Sequence, residues 1–181
     1  MFVQVEDTPN PLTLKFLPGR TVMEAGTANF LTADEAAKSP LAEQLFGING
    51  VNGVFYGSDF ISVTKTSQSD WNALKTLILE RLVNYLTLNE KVSIKANNNN
   101  TDPQEQDAIV KEIIELIDTR IRPAVAMDGG DIIFDRFEGG VVYLSMQGAC
   151  SGCPSSSATL KGGIENMLRY YIPEVTSVEA I

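Results

Sequence analysis

Histidine is absent from this chain of 181 residues, and only two cysteines are present. The absence of histidine removes the commonest metal ligand and the side chain most often used as a general base. Two cysteines are too few for the disulfide framework of a small secreted protein, and their close spacing favours redox or metal chemistry. Any thiol chemistry of this protein therefore belongs to that one pair.

Positive charge is scarce as well. The chain has 14 lysine and arginine residues against 23 aspartate and glutamate residues, a formal net charge of −9. No basic block occurs, which argues against nucleic acid or an anionic membrane as the main partner. No apolar run is long enough to span a membrane, and the first residues lack the pattern of a signal peptide. The sequence therefore predicts a cytoplasmic protein. Its length and its 44% apolar content are sufficient for one or two domains with ordinary hydrophobic cores.

The two cysteines, Cys150 and Cys153, lie in a short segment bounded by glycine and proline. Residues 141–146 include β-branched side chains and alternate in the way typical of a β-strand, whereas apolar residues recur at helical spacing over 155–171. The pair is therefore predicted on a strand-to-helix loop. Pro154 suits the first turn of a helix, which puts Cys153 at or beside the N-cap. There the helix dipole favours the thiolate, the form that binds metals and attacks disulfides.

Ligand number separates three possible uses of this pair. A structural zinc site and a 4Fe-4S cluster each require about four protein ligands, and one chain offers two thiolates. Two chains facing each other would supply four. A redox dithiol needs no dimer, but the predicted order of helix, antiparallel hairpin, cysteines and helix differs from the βαβ context of a thioredoxin-like motif. The spacing favours iron-sulfur chemistry and leaves the redox and zinc alternatives open.

Residues 1–88 are predicted to form a complete α+β domain. Strands are expected over 2–5 and 12–17, a short helix over 41–46, a hairpin over 51–64 and a helix over 70–86. The apolar face of the last helix should cover the sheet, and Trp71 and Phe60 are expected in the core. Residues 89–101 are polar and contain four consecutive asparagines, which predicts a flexible linker.

Residues 102–181 are predicted to form a second α+β domain. Helix-start signals at Asp102 open a helix that Pro123 should end at Arg122. A hairpin of 132–134 with 141–146 follows, then the cysteine loop, the last helix and a closing strand over 175–178. The fold class is therefore α+β, with two small domains, each a hairpin or small sheet covered by helices, joined by the polar linker.

Three smaller predictions concern the second domain. The Asp-Gly-Gly-Asp segment at 128–131 is interpreted as a helix C-cap with a positive-φ turn. The adjacent Gly162 and Gly163 weaken the last helix, and close packing of that helix on its sheet is the expected reason. A stripe at helical spacing is assigned to the core; its members are Ile164, Met167, Leu168 and Tyr171.

Residues 127–131 (Met-Asp-Gly-Gly-Asp), 144–154 with the Cys-x-x-Cys pair, and 159–161 (Thr-Leu-Lys) resemble the C-terminal domain of NifU-like proteins. Residues 8–11 (Thr-Pro-Asn-Pro) and the 50–61 segment resemble the N-terminal domain of Nfu proteins. Together the two resemblances cover the whole chain. The glycine-bounded Cys-x-x-Cys pattern is the specific part, whereas the N-terminal match contains no known ligand.

This resemblance implies a cluster scaffold or carrier that is not expected to turn over a substrate. A 4Fe-4S cluster would be shared between the two subunits of a homodimer, with Cys150 and Cys153 of each as iron ligands, and passed to apo iron-sulfur client proteins. Two such chains would equally hold a 2Fe-2S centre. The N-terminal domain is assigned to recognition of clients or of upstream assembly proteins. The alternative function is a thiol-disulfide oxidoreductase.

The resemblance also bears on location. Eukaryotic members of the family usually carry a mitochondrial presequence, and none is recognisable in this sequence. The first expectation is therefore a bacterial cytoplasmic protein, and the second is a processed mitochondrial form.

Overall fold

A computed structural model describes residues 2–89, 91–94, 108–151 and 154–181, with the side chains of 154–157 left out. The chain divides into two compact units, residues 1–97 and 98–181. The predicted helix start at Asp102 and the asparagine run lie outside the described residues. Each unit combines a β-sheet with helices, so the predicted α+β class with two domains is confirmed.

The N-terminal unit is built on a five-stranded antiparallel sheet with the strand order β1-β2-β5-β4-β3. The predicted strands, the short helix and the long helix are all present. The additional β3 and α1 lie in a stretch whose weak periodicity gave no prediction. The elements are β1 (Gln4–Asp7), β2 (Thr13–Leu17), β3 (Ala28–Phe30), α1 (Ala33–Ala36), α2 (Pro40–Phe46), β4 (Val51–Tyr56), β5 (Ile61–Lys65) and α3 (Trp71–Leu88).

Apolar residues of α2 and α3 make one core with the side chains of the sheet. Helix α3 begins behind Asp70, whose carboxylate accepts a hydrogen bond from the Asn72 N–H. The prediction that Phe60 is buried is confirmed. Trp71 packs only partly against the core, and its indole N–H donates to the Pro11 carbonyl at 3.1 Å. The assignment of Trp71 to the core is therefore confirmed only in part.

The C-terminal unit contains a three-stranded sheet of order β6-β7-β8. The predicted hairpin is confirmed, with strands longer than expected and a tight turn at Gly139 and Gly140, where φ is +58° and +83°. The elements are α4 (Ala108–Leu116), a π-helical turn (Ile117–Ile121), α5 (Arg122–Met127), β6 (Gly130–Glu138), β7 (Val141–Gly148), α6 (Pro154–Tyr171) and β8 (Ser177–Ala180).

The first described helix of this unit does not end before Pro123. Arg122 has helical dihedral angles and its N–H bonds to the Ile117 carbonyl, five residues back. Proline lacks the N–H of a regular turn, and its ring crowds the carbonyl four residues earlier. The π turn at Ile117–Ile121 widens the helix at this point and accommodates the proline. The predicted end at Arg122 is therefore wrong, and the helix runs on to Met127.

Helix α6 differs from its prediction in two respects. Ile164 and Leu168 are buried as expected, Met167 is partly buried, and Tyr171 is 43% exposed. Gly162 and Gly163 face open space, with nothing within 4 Å of a side-chain carbon built on either of them. Close packing on the sheet is therefore not the reason for this glycine pair. Among the residues that the structure describes, no helix combines the length and apolarity needed to cross a membrane.

Candidate functional site

The cysteine loop joins the end of β7 to the start of α6, as the sequence predicts. Gly148 closes β7 with φ of +64°, a conformation that favours glycine. The Ser151 N–H then donates to the Gly148 carbonyl at 3.1 Å, which makes a tight turn around Cys150. Helix α6 begins at Pro154, directly after Cys153 in the sequence. Cys153 itself lies outside the described residues.

Cys150 lies against the core of the C-terminal unit. It is 6% exposed and belongs to the same buried cluster as Val125 and Ile132. A buried cysteine behaves as a small apolar side chain, so this position also contributes to packing. The thiol of Cys150 thus faces the start of the hairpin.

Gly130, the first residue of β6, forms the wall beside this thiol. A side-chain carbon on Gly130 would lie 2.5 Å from the Cys150 sulfur, 2.7 Å from the Gln147 carbonyl oxygen and 2.9 Å from the Cys150 nitrogen. The preceding Gly129 has φ of +81°, and its carbonyl accepts a hydrogen bond from the Ala149 N–H at 3.1 Å. The interpretation of this segment as a positive-φ turn after a helix is confirmed, and the segment also anchors the cysteine loop.

An ion pair holds the next residue, Asp131. Its buried carboxylate accepts hydrogen bonds from Nε and Nη2 of Arg122, each at 2.8 Å, and from the Ile132 N–H at 2.8 Å. Arg122 also donates to Asp118 at 3.1 Å, one turn earlier in the helix. These hydrogen bonds, chiefly those to Asp131, raise the pKa of the Arg122 guanidinium above its ordinary value. The guanidinium is therefore a fixed cation beside the base of the cysteine loop.

The sequence did not reveal this ion pair. The sequence predicts that a helix ends at Arg122 and that residues 128–131 form a turn, and neither prediction brings the two side chains together. The two partners are nine residues apart, which matches neither helical nor strand spacing. The continuation of the helix past Pro123 is what brings Arg122 next to Asp131.

Metal ligands are few in the described residues of the C-terminal unit. Neither there nor elsewhere in the described part of the chain does a group of three or more His, Cys, Asp or Glu side chains come close enough to hold a metal ion. The full sequence has no histidine and no third cysteine. The thiolate ligands of one chain are therefore limited to two, fewer than the four cysteines that typically hold a 4Fe-4S cluster.

The topology around the cysteines requires a correction. Strands β7 and β8 pair in parallel and are connected by α6. Strand β7, helix α6 and strand β8 therefore form a βαβ unit, and the cysteine loop is the connection between β7 and α6. The predicted difference from a βαβ context is wrong, and topology does not separate a redox dithiol from a metal-binding pair.

Family comparisons match both units. A family model described as "Scaffold protein Nfu/NifU N terminal" matches residues 3–89, and one described as "NifU-like domain" matches residues 113–179. The human protein named "NFU1 iron-sulfur cluster scaffold homolog, mitochondrial" is 49% identical over 183 residues, covering 100% of this chain and 72% of the human chain.

Two further matches complete these comparisons. A protein of the same name from Drosophila willistoni is 47% identical, and the match covers 100% of this chain and 64% of the fly chain. The solution NMR structure of a NifU-like protein from Saccharomyces cerevisiae aligns with a TM-score of 0.49 at 28% identity, covering 53% of this chain and 87% of the yeast chain.

Proposed function

We propose, from the premise that this chain belongs to the Nfu family of iron-sulfur cluster scaffold proteins, that Cys150 and Cys153 bind an iron-sulfur cluster as cargo, which the chain delivers to client proteins. The observation that carries this proposal is the geometry of the cysteine loop. Its one described thiol lies between Gly130 and a tight turn, and the second cysteine directly precedes the first turn of α6 in the sequence.

Ligand number leads to a dimer. Two thiols per chain leave a 4Fe-4S cluster half-liganded, whereas two chains supply four thiolates without any other residue. The proposed cargo is therefore one 4Fe-4S cluster shared between two subunits of a homodimer. A 2Fe-2S centre needs the same four ligands, so the nuclearity has to be measured.

Charge favours the start of α6 for such a cluster. The last residues before a helix lie at the positive end of its dipole, near unpaired N–H groups that stabilise thiolates and anionic clusters. The net charge of the unit is unfavourable for an anionic cluster, because residues 98–181 contain thirteen aspartates and glutamates against six lysines and arginines. The iron-thiolate bonds and the positive end of the helix dipole thus have to offset a net repulsion between two acidic units, which favours a cluster that can be released.

Loading of the cluster requires a change in the cysteine loop. The described conformation keeps Cys150 almost buried against Gly130, with only 6% of the residue exposed. The loop must turn this sulfur outward before two chains can share the cluster. Glycines at 148 and 152 give the loop the backbone freedom for that movement.

The proposal assigns no catalytic turnover to the chain. The N-terminal unit has neither cysteine nor histidine, and we assign it to recognition of client proteins or of upstream assembly proteins. The relatives are named as mitochondrial proteins, which supports the second predicted location, a processed mitochondrial form, over the bacterial cytoplasm.

Anaerobic reconstitution of the full chain with iron and sulfide tests this function. A brown protein with about two irons and two sulfides per chain is expected, because one 4Fe-4S cluster serves two chains. A sample treated with iron but without sulfide is the control and should remain colourless after desalting. A protein that takes up no cluster and instead reduces the disulfides of insulin would contradict the scaffold function and favour a thiol-disulfide oxidoreductase.

A further inference from the structure

We propose that Arg122 is a positioning residue for the cluster ligand Cys150. Its ion pair with Asp131 fixes the glycine segment on which the cysteine loop rests. The inference rests on the proposed function, since it assigns to Arg122 a part in holding the cluster.

The ion pair is rigid at both ends. Two nitrogens of the guanidinium donate to the two carboxylate oxygens of Asp131, each at 2.8 Å, in the bidentate arrangement that fixes orientation as well as distance. Asp118 holds a third nitrogen of the same guanidinium at 3.1 Å. Arg122 directly follows the π turn, so an irregularity of the helix sets its position. Such turns often occur at functional sites.

The constraint passes from Asp131 to the cysteine loop through the backbone. The Asp131 carboxylate accepts a hydrogen bond from the Ile132 N–H at 2.8 Å in addition to those from Arg122. It therefore links the Arg122 side chain to the backbone at the start of β6. The preceding Gly130 lies so close to Cys150 that a side-chain carbon on it would come within 2.5 Å of the Cys150 sulfur and 2.9 Å of the Cys150 nitrogen. Gly129 accepts the hydrogen bond of Ala149, the residue just before Cys150. Two consecutive residues next to Asp131 thus support the loop that presents the first cluster ligand.

A loop that contains glycines on both sides of a ligand needs such a support. Freedom of the 148–152 segment lets the sulfur leave its buried position, but the same freedom lowers the fraction of time in which the ligand has the right geometry. Residues behind the ligands commonly restrict this freedom in metal sites. The Arg122–Asp131 pair holds the base of the loop and leaves its tip free.

The first test measures the thiol without any cluster. In a Cys153→Ser background the only thiol is Cys150, and its alkylation rate by iodoacetamide reports how often the sulfur leaves the glycine wall. Arg122→Lys keeps the charge and loses the bidentate fork, so we expect alkylation about tenfold faster. Arg136→Lys is the matched control, because Arg136 lies on the same strand β6 and pairs at the surface with Asp135 and Glu138. The control should alkylate at the unchanged rate.

The second test measures the cluster in the chain with both cysteines. The reconstituted Arg122→Lys and Asp131→Asn variants should each lose the cluster to a chelator about tenfold faster than the unsubstituted chain. The double variant should be no worse than either single variant, since both act through one contact. Circular dichroism and the unfolding midpoint show whether each variant is folded.

Two outcomes would overturn the proposal. The first is a folded Arg122→Lys variant whose alkylation rate and cluster lifetime equal those of the unsubstituted chain. The second is loss of folding in Arg122→Lys, which would make Arg122 a general requirement of the fold. If the unsubstituted chain itself takes up no cluster, the scaffold function fails, whereas the alkylation test still decides whether Arg122 positions Cys150.

Discussion

Replacement of either Cys150 or Cys153 by serine is expected to abolish stable cluster binding. A dimer of either variant retains two thiolates where a 4Fe-4S cluster needs four, and a serine hydroxyl is a harder and far less acidic ligand. The iron content after anaerobic reconstitution and desalting should fall from about two atoms per chain to the background of the sulfide-free control. The visible absorption of the cluster should disappear with it.

Folding has to be checked separately for Cys150. Its side chain is buried, and the hydroxyl of a serine there is more costly to desolvate than the thiol, so Cys150→Ser is expected to lower the stability of the fold. Cys150→Ala removes the thiol but leaves an apolar side chain, so it should fold better and bind no more iron. Ser145→Ala, on β7 and away from the loop, is the control that should load fully. Full iron and sulfide content in any cysteine variant would refute the ligand assignment.

Gly130→Ala is expected to impair both the fold and the cluster. The added methyl group would lie 2.5 Å from the Cys150 sulfur and within 3 Å of two backbone atoms, and backbone atoms cannot move aside cheaply. Overpacking of this kind typically costs about 1–3 kcal/mol. We expect a lower denaturation midpoint. We also expect a cluster that is lost faster to a chelator, because the methyl group meets the Gln147 carbonyl and the Cys150 nitrogen even when the sulfur points outward.

Gly162→Ala provides the matched control for that substitution. Gly162 lies in the middle of α6 with open space around it, so the same added methyl group meets nothing. Alanine in place of glycine at an exposed helix position should stabilise the fold by up to about 1 kcal/mol. If Gly130→Ala equals the unsubstituted chain in both stability and cluster lifetime, then the glycine wall has no role in holding Cys150.

The cysteine loop could be predicted because its signals are local. Alternation over β7, the helical spacing after Pro154 and the glycine-glycine turn at 139–140 each depend on a few neighbouring residues. The same holds for Gly129, whose place after a helix predicts its positive φ. In this region the hydrophobic pattern and the conformational preferences of glycine and proline favour the same local structure, so the prediction matches the fold.

The rest could not be predicted because it depends on contacts distant in sequence. The π turn that carries the helix past Pro123 exists because the continued helix buries Ile121 and Val125 and brings Arg122 to Asp131. Tyr171 follows the helical stripe yet lies 43% exposed, with the Arg120 guanidinium 5.4 Å from the centre of its ring. The parallel pairing of β8 with β7 is a property of the whole unit, which a hairpin pattern does not contain.

Sedimentation of cluster-free and cluster-loaded protein, at matched micromolar concentration and salt, shows whether two chains share one cluster. Two strongly acidic chains repel each other, and a cluster that binds only the associated state shifts the equilibrium to dimer. Cluster-free protein should sediment as a monomer, and loaded protein as a dimer with about four irons per two chains, which a chelator converts back to monomers. A loaded species that sediments as a monomer, or a cluster-free protein that remains a tight dimer, would contradict a cluster shared between two chains through Cys150 and Cys153.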